Sequence, residues 1–313
     1  MVKGPKIPMA KPFQTFALVG RDTDMRVADS MRTLAGHLVK RGGQVLVDQA
    51  STVNFGSTPV TRADPQGFAD RADLLIAIGG DGTMLHASRL AVGRKVPLLG
   101  VNRGRLGFLT DVSPEDMLER LDDVLAGKYT EDRRSLLEAR LNRGGRIAGA
   151  LTALNDVVVQ KWETGRMLDI ETWIDGQFVN THGADGLVVA SATGSTAYAL
   201  SCGGPIVQHR LGAVVLVPIS PHTLSDRPIV VSADARIELR LKERVDTRAQ
   251  VLCDGAVLGE LDIGDRLEIS ASQHHVTLIH PPGYEYFRLL RSKLHWGRGG
   301  YDGSAGTTPP AER

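Results

Sequence analysis

Five consecutive residues, Gly79-Gly80-Asp81-Gly82-Thr83, combine what a phosphate site needs with a group such a site would otherwise avoid. They follow the apolar run Leu74–Ile78 and precede a helix-like run through Met84, Leu85, Ala87, Leu90 and Ala91. A buried strand therefore stops where a helix starts. Glycines let backbone N–H groups approach phosphate oxygens, and the helix N-terminus adds favourable partial charge. Gly79, Gly80, Gly82 and Thr83 are the phosphate-cradling candidates. An Asp among those amides repels an anion, but it makes sense if Asp81 faces a hydroxyl that attacks the phosphate. The same residues would also build a tight turn with an Asp N-cap. Neither G-x-x-x-x-G-K-[ST] nor a G-x-G-x-x-G after a strand occurs, which removes the main support for P-loop and plain dehydrogenase readings.

A second constellation runs from Asp185 to Ile206. The strand-like Leu187–Ala190 empties into Thr193-Gly194-Ser195-Thr196, then an Ala/Tyr/Leu helical turn, then Gly203-Gly204-Pro205. Small hydroxyl residues with glycine give a narrow, hydrogen-bonding wall suited to a sugar or base. An N-capped short helix with a Gly-Pro stop is the plainer alternative. Ala199-Leu200-Ser201-Cys202-Gly203 also resembles a nucleophile elbow, with Asp226 and a later His in hydrolase order, but it follows a helical turn in the antiparallel half. A third pair, Asn155-Asp156, opens the Val-rich run Val157–Val159, where ordinary turn chemistry would also place it. The nine histidines form no HExxH and no His/Cys metal spacing. No acidic cluster resembles an all-protein Mg²⁺ cage, so Mg²⁺ is expected only on substrate phosphates.

The elements around these motifs change character along the chain. In the first third, Thr15–Val19, Gln44–Val47, Leu74–Ile78 and Val96–Val101 read as strands. Asp24 to Arg41, with Val27, Met31, Leu34 and Leu38 on one stripe, reads as a helix. Ser113-Pro114-Glu115-Asp116 reads as a helix start, with the stop near Gly127. Ser51 to Gly67 reads as a long surface loop. Strands alternating with helices imply a parallel sheet covered on both faces. Beyond about residue 130 the pattern becomes antiparallel β. Arg236–Lys242 alternates, and Met167–Ile174 with Phe178–Asn180 flanks the hairpin signal Asp175-Gly176. Leu187–Ala190, Ala213–Val217, Gln250–Cys253, Arg266–Ser270 and Val276–Ile279 add short strands. Tyr284–Leu294 looks helical again.

Composition excludes several classes. The 313 residues carry 37 Lys+Arg against 36 Asp+Glu, so no basic footprint marks a nucleic-acid binder. Aromatics are only 5%, few for base stacking. The longest apolar runs fall far short of the ~18–20 residues that span a bilayer, so no membrane association is expected. Residues 1–12 interleave Lys with Pro, with no apolar stretch behind them, and read as a flexible leader. Cys202 and Cys253 make no disulfide framework. A cytoplasmic location is expected. Twelve of the 35 glycines lie in Gly79–Gly107 and Gly183–Gly204, where backbone would touch phosphate and ribose.

Taken jointly, the motifs resemble the NAD kinase family. The resemblance runs through Gly79–Thr83, Gly100-Val-Asn-Arg-Gly-Arg-Leu-Gly-Phe-Leu-Thr-Asp111, Asn155-Asp156, Asp185-Gly186, Thr193-Gly-Ser-Thr-Ala-Tyr198, Gly203-Gly-Pro205, Pro218-Ile-Ser-Pro-His222 and Arg227-Pro228. The Gly-Gly-Asp-Gly element alone is shared with diacylglycerol-type lipid kinases and 6-phosphofructokinases. A lipid or sugar kinase, or a non-catalytic dinucleotide-sensing module, is therefore the alternative.

The resemblance implies a Rossmann-like parallel α/β domain over 13–130 and an antiparallel β-sandwich domain over 131–283. A helix at 284–296 would return to the first domain, ahead of a disordered tail over 297–313. It implies ATP-dependent phosphorylation of NAD to NADP, with Asp81 as general base on the adenosine 2′-hydroxyl and Gly82 beside it. Asn155 and Asp156 would hold the ribose and adenine side, and Thr196, Ala197, Tyr198, Ala199, Leu200 and Ser201 would line the adenosine. Arg166 and Asp185 match family dinucleotide contacts. It further implies Mg²⁺ on the donor, ATP or polyphosphate, and a homodimer or homotetramer in which a neighbouring subunit completes the site. Three positions depart: Asp156 where the family often has Glu, Ala256 where many relatives carry Gln, and Gly183 where some have Arg.

Overall fold

Apolar runs bounded by glycine or polar residues fold into five parallel strands. They are β1 (Thr15–Gly20), β2 (Gln44–Asp48), β3 (Thr61–Ala63), β4 (Leu74–Gly79) and β5 (Leu98–Asn102). Their order in the sheet is β5-β4-β1-β2-β3. The chain leaves β1 towards one edge and returns to build β4 and β5 on the other side. The carboxyl ends of β1 and β4 therefore flank a switch in strand order, the position where open α/β sheets bind ligands. This computed structural model describes residues 13–103, 107–162, 166–242 and 248–296. The leader over 1–12 and the tail over 297–313 lie outside them.

The helices α1 (Met25–Lys40), α2 (Pro65–Arg71), α3 (Asp81–Ala91) and α4 (Met117–Leu125) cover both faces. Val27, Met31, Leu34 and Leu38 of α1 pack with Leu121 and Val124 of α4 on Leu74, Ile76 and Ile78. Met84, Ala87 and Leu90 of α3 pack with Phe68 on Leu75 and Ala77. Alternate β4 residues thus serve opposite cores, and each fully buried side chain of this size contributes about 1.5–3 kcal/mol.

The β-rich half contains β6 (Thr130–Arg143), β7 (Arg146–Ala153), β8 (Asp156–Lys161), β9 (Leu168–Ile174), β10 (Gln177–Ala184) and β11 (Gly186–Ser191). A 3₁₀ turn (Gly194–Thr196) and α5 (Tyr198–Ser201) follow. Then come β12 (Ala213–Ile219), β13 (Ile229–Ser232), β14 (Ile237–Leu241), β15 (Ala249–Cys253), β16 (Ala256–Leu261), β17 (Arg266–His280) and α6 (Tyr286–Leu294). An antiparallel sheet ordered β13-β12-β11-β8-β15-β16 faces β6, β9, β14 and β17 across a core that includes Leu137, Ile170, Leu239 and Leu267 on one side and Val157, Val189 and Val251 on the other. The expected α/β and β-sandwich architecture is present. Among the described residues no helix is long and apolar enough to cross a membrane.

Three features differ from the sequence reading. The stretch expected as a loop, Ser51 to Gly67, holds β3 and the start of α2, and it buries Val53 and Phe55. β3 is a short, largely exposed edge strand, so it carries no apolar pattern to detect. The α4 helix begins at Met117, and Ser113 instead accepts the Asp116 N–H in the preceding turn. Finally, Arg266–Ser270 and Val276–Ile279 are one strand, β17, interrupted only by a register shift between Ala271 and His275. β17 pairs β14 in its first half and reaches β5 at Leu278, and Val276 and Leu278 join the α3 core. The chain is thus back in the parallel sheet before the helix expected at 284–296.

Candidate active site

Asp81 is the first residue of α3, carried out of β4 by Gly79 and Gly80. Gly79 has φ +154, and a Cβ there would sit 2.3 Å from Thr83 Oγ1, so the turn itself demands glycine. Gly80 and Gly82 are different. A Cβ at either meets nothing within 4 Å, so the fold does not require their glycines. What they keep clear is the backbone face where an anion would approach. The Asp81 carboxylate is held in place by two amides: Phe108 N–H donates to Oδ2 at 2.9 Å and Leu109 N–H to Oδ1 at 3.0 Å. A Cβ on Gly107 would lie 2.0 Å from Asp81 Oδ1, which accounts for that glycine.

Two clefts flank this turn at the strand-order switch. One, of about 480 Å³, is lined by Arg21, Thr23, Gly79, Gly80, Gly82 and Arg103. The other, of about 500 Å³, includes Arg21, Asp48, Gly82, His86, Arg89 and Asp254. The Nε atoms of Arg89 and Arg103 are buried without a hydrogen-bond partner among the described residues. Both guanidinium side chains line the clefts, and a cleft lined by Arg suits an anionic ligand.

Asn155 and Asp156 are fixed by Asp254, which sits with φ +47 in the β15–β16 turn. Its Oδ2 accepts the Leu154 N–H at 2.7 Å, and its Oδ1 accepts those of Asn155 and Asp156 at 2.8 and 3.2 Å. The Asp254 carbonyl in turn accepts a bond from Arg89 Nη2 of α3 at 2.7 Å. One turn therefore links the helix that begins at Asp81 to the Asn155-Asp156 pair. Burial pushes the Asp156 carboxyl up to about 7, and the Asp254 charge adds to the shift. Asp254 is raised by its own burial, against the pull of its three amide bonds.

A carboxyl raised by folding binds its proton more tightly in the native state, so stability present below its unfolded value is lost as pH rises through the folded one. Thermal unfolding should therefore show stability falling between pH 3.8 and about 7, with Asp156→Asn removing much of that slope.

The Thr193–Ser201 wall stacks directly on Asn155. A Cβ on Gly194 would stand 2.0 Å from the Asn155 carbonyl oxygen. Ser191 Oγ donates to the Leu154 carbonyl at 2.5 Å, and Ser195 Oγ joins Ala192 and Val207, all buried. Thr196, Ala197 and Leu200 are partly exposed, while Tyr198 and Ser201 are exposed. The Tyr198 phenol is raised by partial burial, with Cys202, Asp156 and Asp185 adding to the shift. Asp185 is paired with Lys161 Nζ at 2.7 Å. Ala199 is fully buried, packed with Val188, Val207 and Val217, so its methyl faces the core and not the wall's open side. Arg166 is exposed, two residues before β9. The nucleophile-elbow alternative finds no triad: Asp226 pairs with buried His182 at 2.8 Å, and Ser201 merely ends α5.

The family model of the ATP-NAD kinase N-terminal domain matches residues 16–129, and that of the ATP-NAD kinase C-terminal domain matches 154–281. The chain belongs to the NAD kinase family. It is 44% identical to an NAD kinase of Nitrosococcus oceani over 93% of this chain and 99% of that protein. It is 46% identical to one of Thiobacillus denitrificans over the same shares. Among solved structures, an NAD kinase from Archaeoglobus fulgidus in complex with ATP superposes with TM-score 0.70 at 26% identity, covering 90% of this chain and 99% of that one. Yeast NADH kinase complexed with NADH has the same fold, with TM-score 0.84 at 23% identity over 93% of this chain and 90% of that one.

The two NAD kinase domain matches divide the site. The first contains Asp81 and its Phe108–Leu109 amides; the second contains Asn155, Asp156, the wall and Asp254. Sequence reading did not find Phe108, Leu109, Arg89, Arg103 or Asp254 as site residues. The Asp254-Gly255 turn was visible, but its clamp on residues about 100 positions earlier was not. Among the described residues no three His, Cys, Asp or Glu side chains gather as a metal site.

Proposed function

We propose that Asp81 is the general base of NAD phosphorylation, taking the proton of the acceptor hydroxyl as phosphate arrives over Gly80 and Gly82. The family's reaction transfers the terminal phosphate of ATP to the 2′-hydroxyl of the adenosine ribose of NAD, giving NADP, and this chain carries it out. The observation that carries the role of Asp81 is the pairing of a carboxylate oriented by two backbone amides with two glycines the fold does not need. Phosphoryl transfer depends on positioning and charge neutralisation more than on covalent help.

Arg21 and Arg103 would face the donor phosphates, and the exposed amides of the Gly80–Gly82 turn would cradle them. Mg²⁺ travelling on those phosphates would neutralise charge there. Mg²⁺ carried on substrate phosphates needs no cage from the protein. Asn155 and Asp156 would hold ribose hydroxyls, with Arg166 and Asp185 contacting the dinucleotide. Thr196, Ala197, Tyr198, Leu200 and Ser201 would line the adenosine, with Ala199 contributing backbone. The reading includes a cytoplasmic homodimer or homotetramer.

Purified protein with NAD, ATP and Mg²⁺ should generate substrate for an NADP-specific dehydrogenase. A parallel reaction with polyphosphate identifies the donor. Folded protein that yields no signal with either would overturn the reading. Gly82→Ala separates the fold's needs from the ligand's. Its Tm should hold or rise, since alanine favours a helix over glycine by about 1 kcal/mol. Turnover should fall steeply, because a misplacement of about 1 Å at a reacting centre can cost ~10²-fold.

A further inference from the structure

A buried cluster of charges lies between the loop that holds Asp81 and the adenosine wall. His280, the last residue of β17, places Nδ1 2.9 Å from Asp111 Oδ2 and Nε2 3.5 Å from Asp132 Oδ2. Asp132 also takes Arg134 Nε and Nη2 at 3.0 and 2.7 Å, with His209 Nε2 3.1 Å away. The guanidinium of Arg134 continues through Nη1 to Thr193 Oγ1 at 3.2 Å, at the head of the wall. Asp111 ends the short segment whose Phe108 and Leu109 amides bind the Asp81 carboxylate. A connected path thus runs from the Asp81 cradle through Asp111, His280, Asp132 and Arg134 to Thr193.

We propose that His280 is a positioning residue for phosphoryl transfer, its doubly protonated ring bridging Asp111 and Asp132 and so fixing the Asp81 loop against the Thr193 wall. Nδ1 hydrogen-bonds Asp111, Nε2 makes a longer ion-pair contact with Asp132 that lacks hydrogen-bond geometry, and a neutral imidazole has one N–H while an imidazolium has two. With the ring charged, two carboxylates balance Arg134 and His280. With it neutral, Asp111 is left without a cationic partner, since His209 and Arg134 both lie on Asp132, and an uncompensated buried charge is costly. The other groups packed on the ring agree. Tyr284 stacks on it at 3.7 Å and 7°, favourable for a cation, and Tyr286 of α6 packs edge-on to His209. Burial alone would lower the His280 pKa, but the hydrogen bond with Asp111 and the nearby Asp132 charge outweigh it and the net shift is upward. Burial would raise Asp132, but His209, His280 and Arg134 hold it well below the usual carboxylate range.

The proposal rests on Asp81 being the base, and Asp81→Asn assayed alongside keeps the two claims apart. Retained turnover in Asp81→Asn would remove the base assignment whatever His280 does. The test measures kcat and KM for NAD and ATP in the full chain from about pH 6 to about pH 9. Wild-type kcat should fall at alkaline pH as His280 loses its second proton. His280→Gln, which offers N–H from one end only, should lower kcat by about 10-fold or more and abolish that limb, with KM values changing far less. Asp111→Asn keeps an acceptor but removes one of the two negative charges, so the limb should move to lower pH; this arm serves if His280→Gln fails to fold. An unchanged kcat and profile in folded His280→Gln, a loss of kcat with the limb intact, or an unmoved limb in Asp111→Asn would each overturn the proposal.

Discussion

Asp254→Ala is expected to destabilise the protein and to weaken catalysis together. The substitution strips the acceptors from the amides of Leu154, Asn155 and Asp156. Unmet buried amides cost about 1–3 kcal/mol each, so a loss of roughly 3 kcal/mol or more is expected. That corresponds to a fall of roughly 6–12 °C in Tm for a chain of this size. Alanine also resists the φ of +47 at this position, which Asn tolerates. Asp254→Asn should therefore be milder: it keeps the turn and the acceptor for Asn155 and Asp156, and it sets an NH₂ against the Leu154 amide. Burial keeps the Asp156 carboxyl raised, and removing the Asp254 charge takes away only the smaller part of that shift. Thermal melts of the two variants, with KM for NAD measured beside them, check the order.

Asp81→Asn carries the larger expected effect on rate. General-base help of this kind is typically worth ~10²–10⁴-fold, and an amide cannot supply it. The structural cost is smaller. Asn keeps one acceptor for the Phe108 or Leu109 amide and turns an NH₂ towards the other, a local conflict of about 1–3 kcal/mol. A domain holding 5–15 kcal/mol survives that. Turnover should thus collapse in a protein that still melts cooperatively and still binds NAD. The Asn155–Asp156 pair and the Thr193–Ser201 wall do not depend on the Asp81 charge.

The strand-to-helix turn at Asp81 was legible because its signal is local: an apolar run, glycines, then an amphipathic stripe. The same holds for the Asp175-Gly176 hairpin, where both residues take positive φ, 51 and 79. β6 was hidden for the opposite reason. Asp132 and Arg134 alternate as strand residues should, but they point inward, where a sequence reader expects apolar groups. Their partners His209, His280 and Thr193 are supplied from far along the chain, and nothing near residue 132 announces them. The site divides in the same way. The residues that would meet substrate stand in motifs, whereas the groups that hold them, Asp254 and the Phe108–Leu109 amides, act across sequence gaps that only folding closes.

Whether Asp81 takes the acceptor's proton is tested most directly by a single turnover. Wild type and Asp81→Asn, each saturated with NAD and ATP, are mixed with Mg²⁺ and quenched, and the NADP formed is counted against time. The account predicts a transfer rate in Asp81→Asn at least ~10²-fold below wild type, with NAD affinity by calorimetry little changed. Transfer at the wild-type rate from folded Asp81→Asn would contradict it.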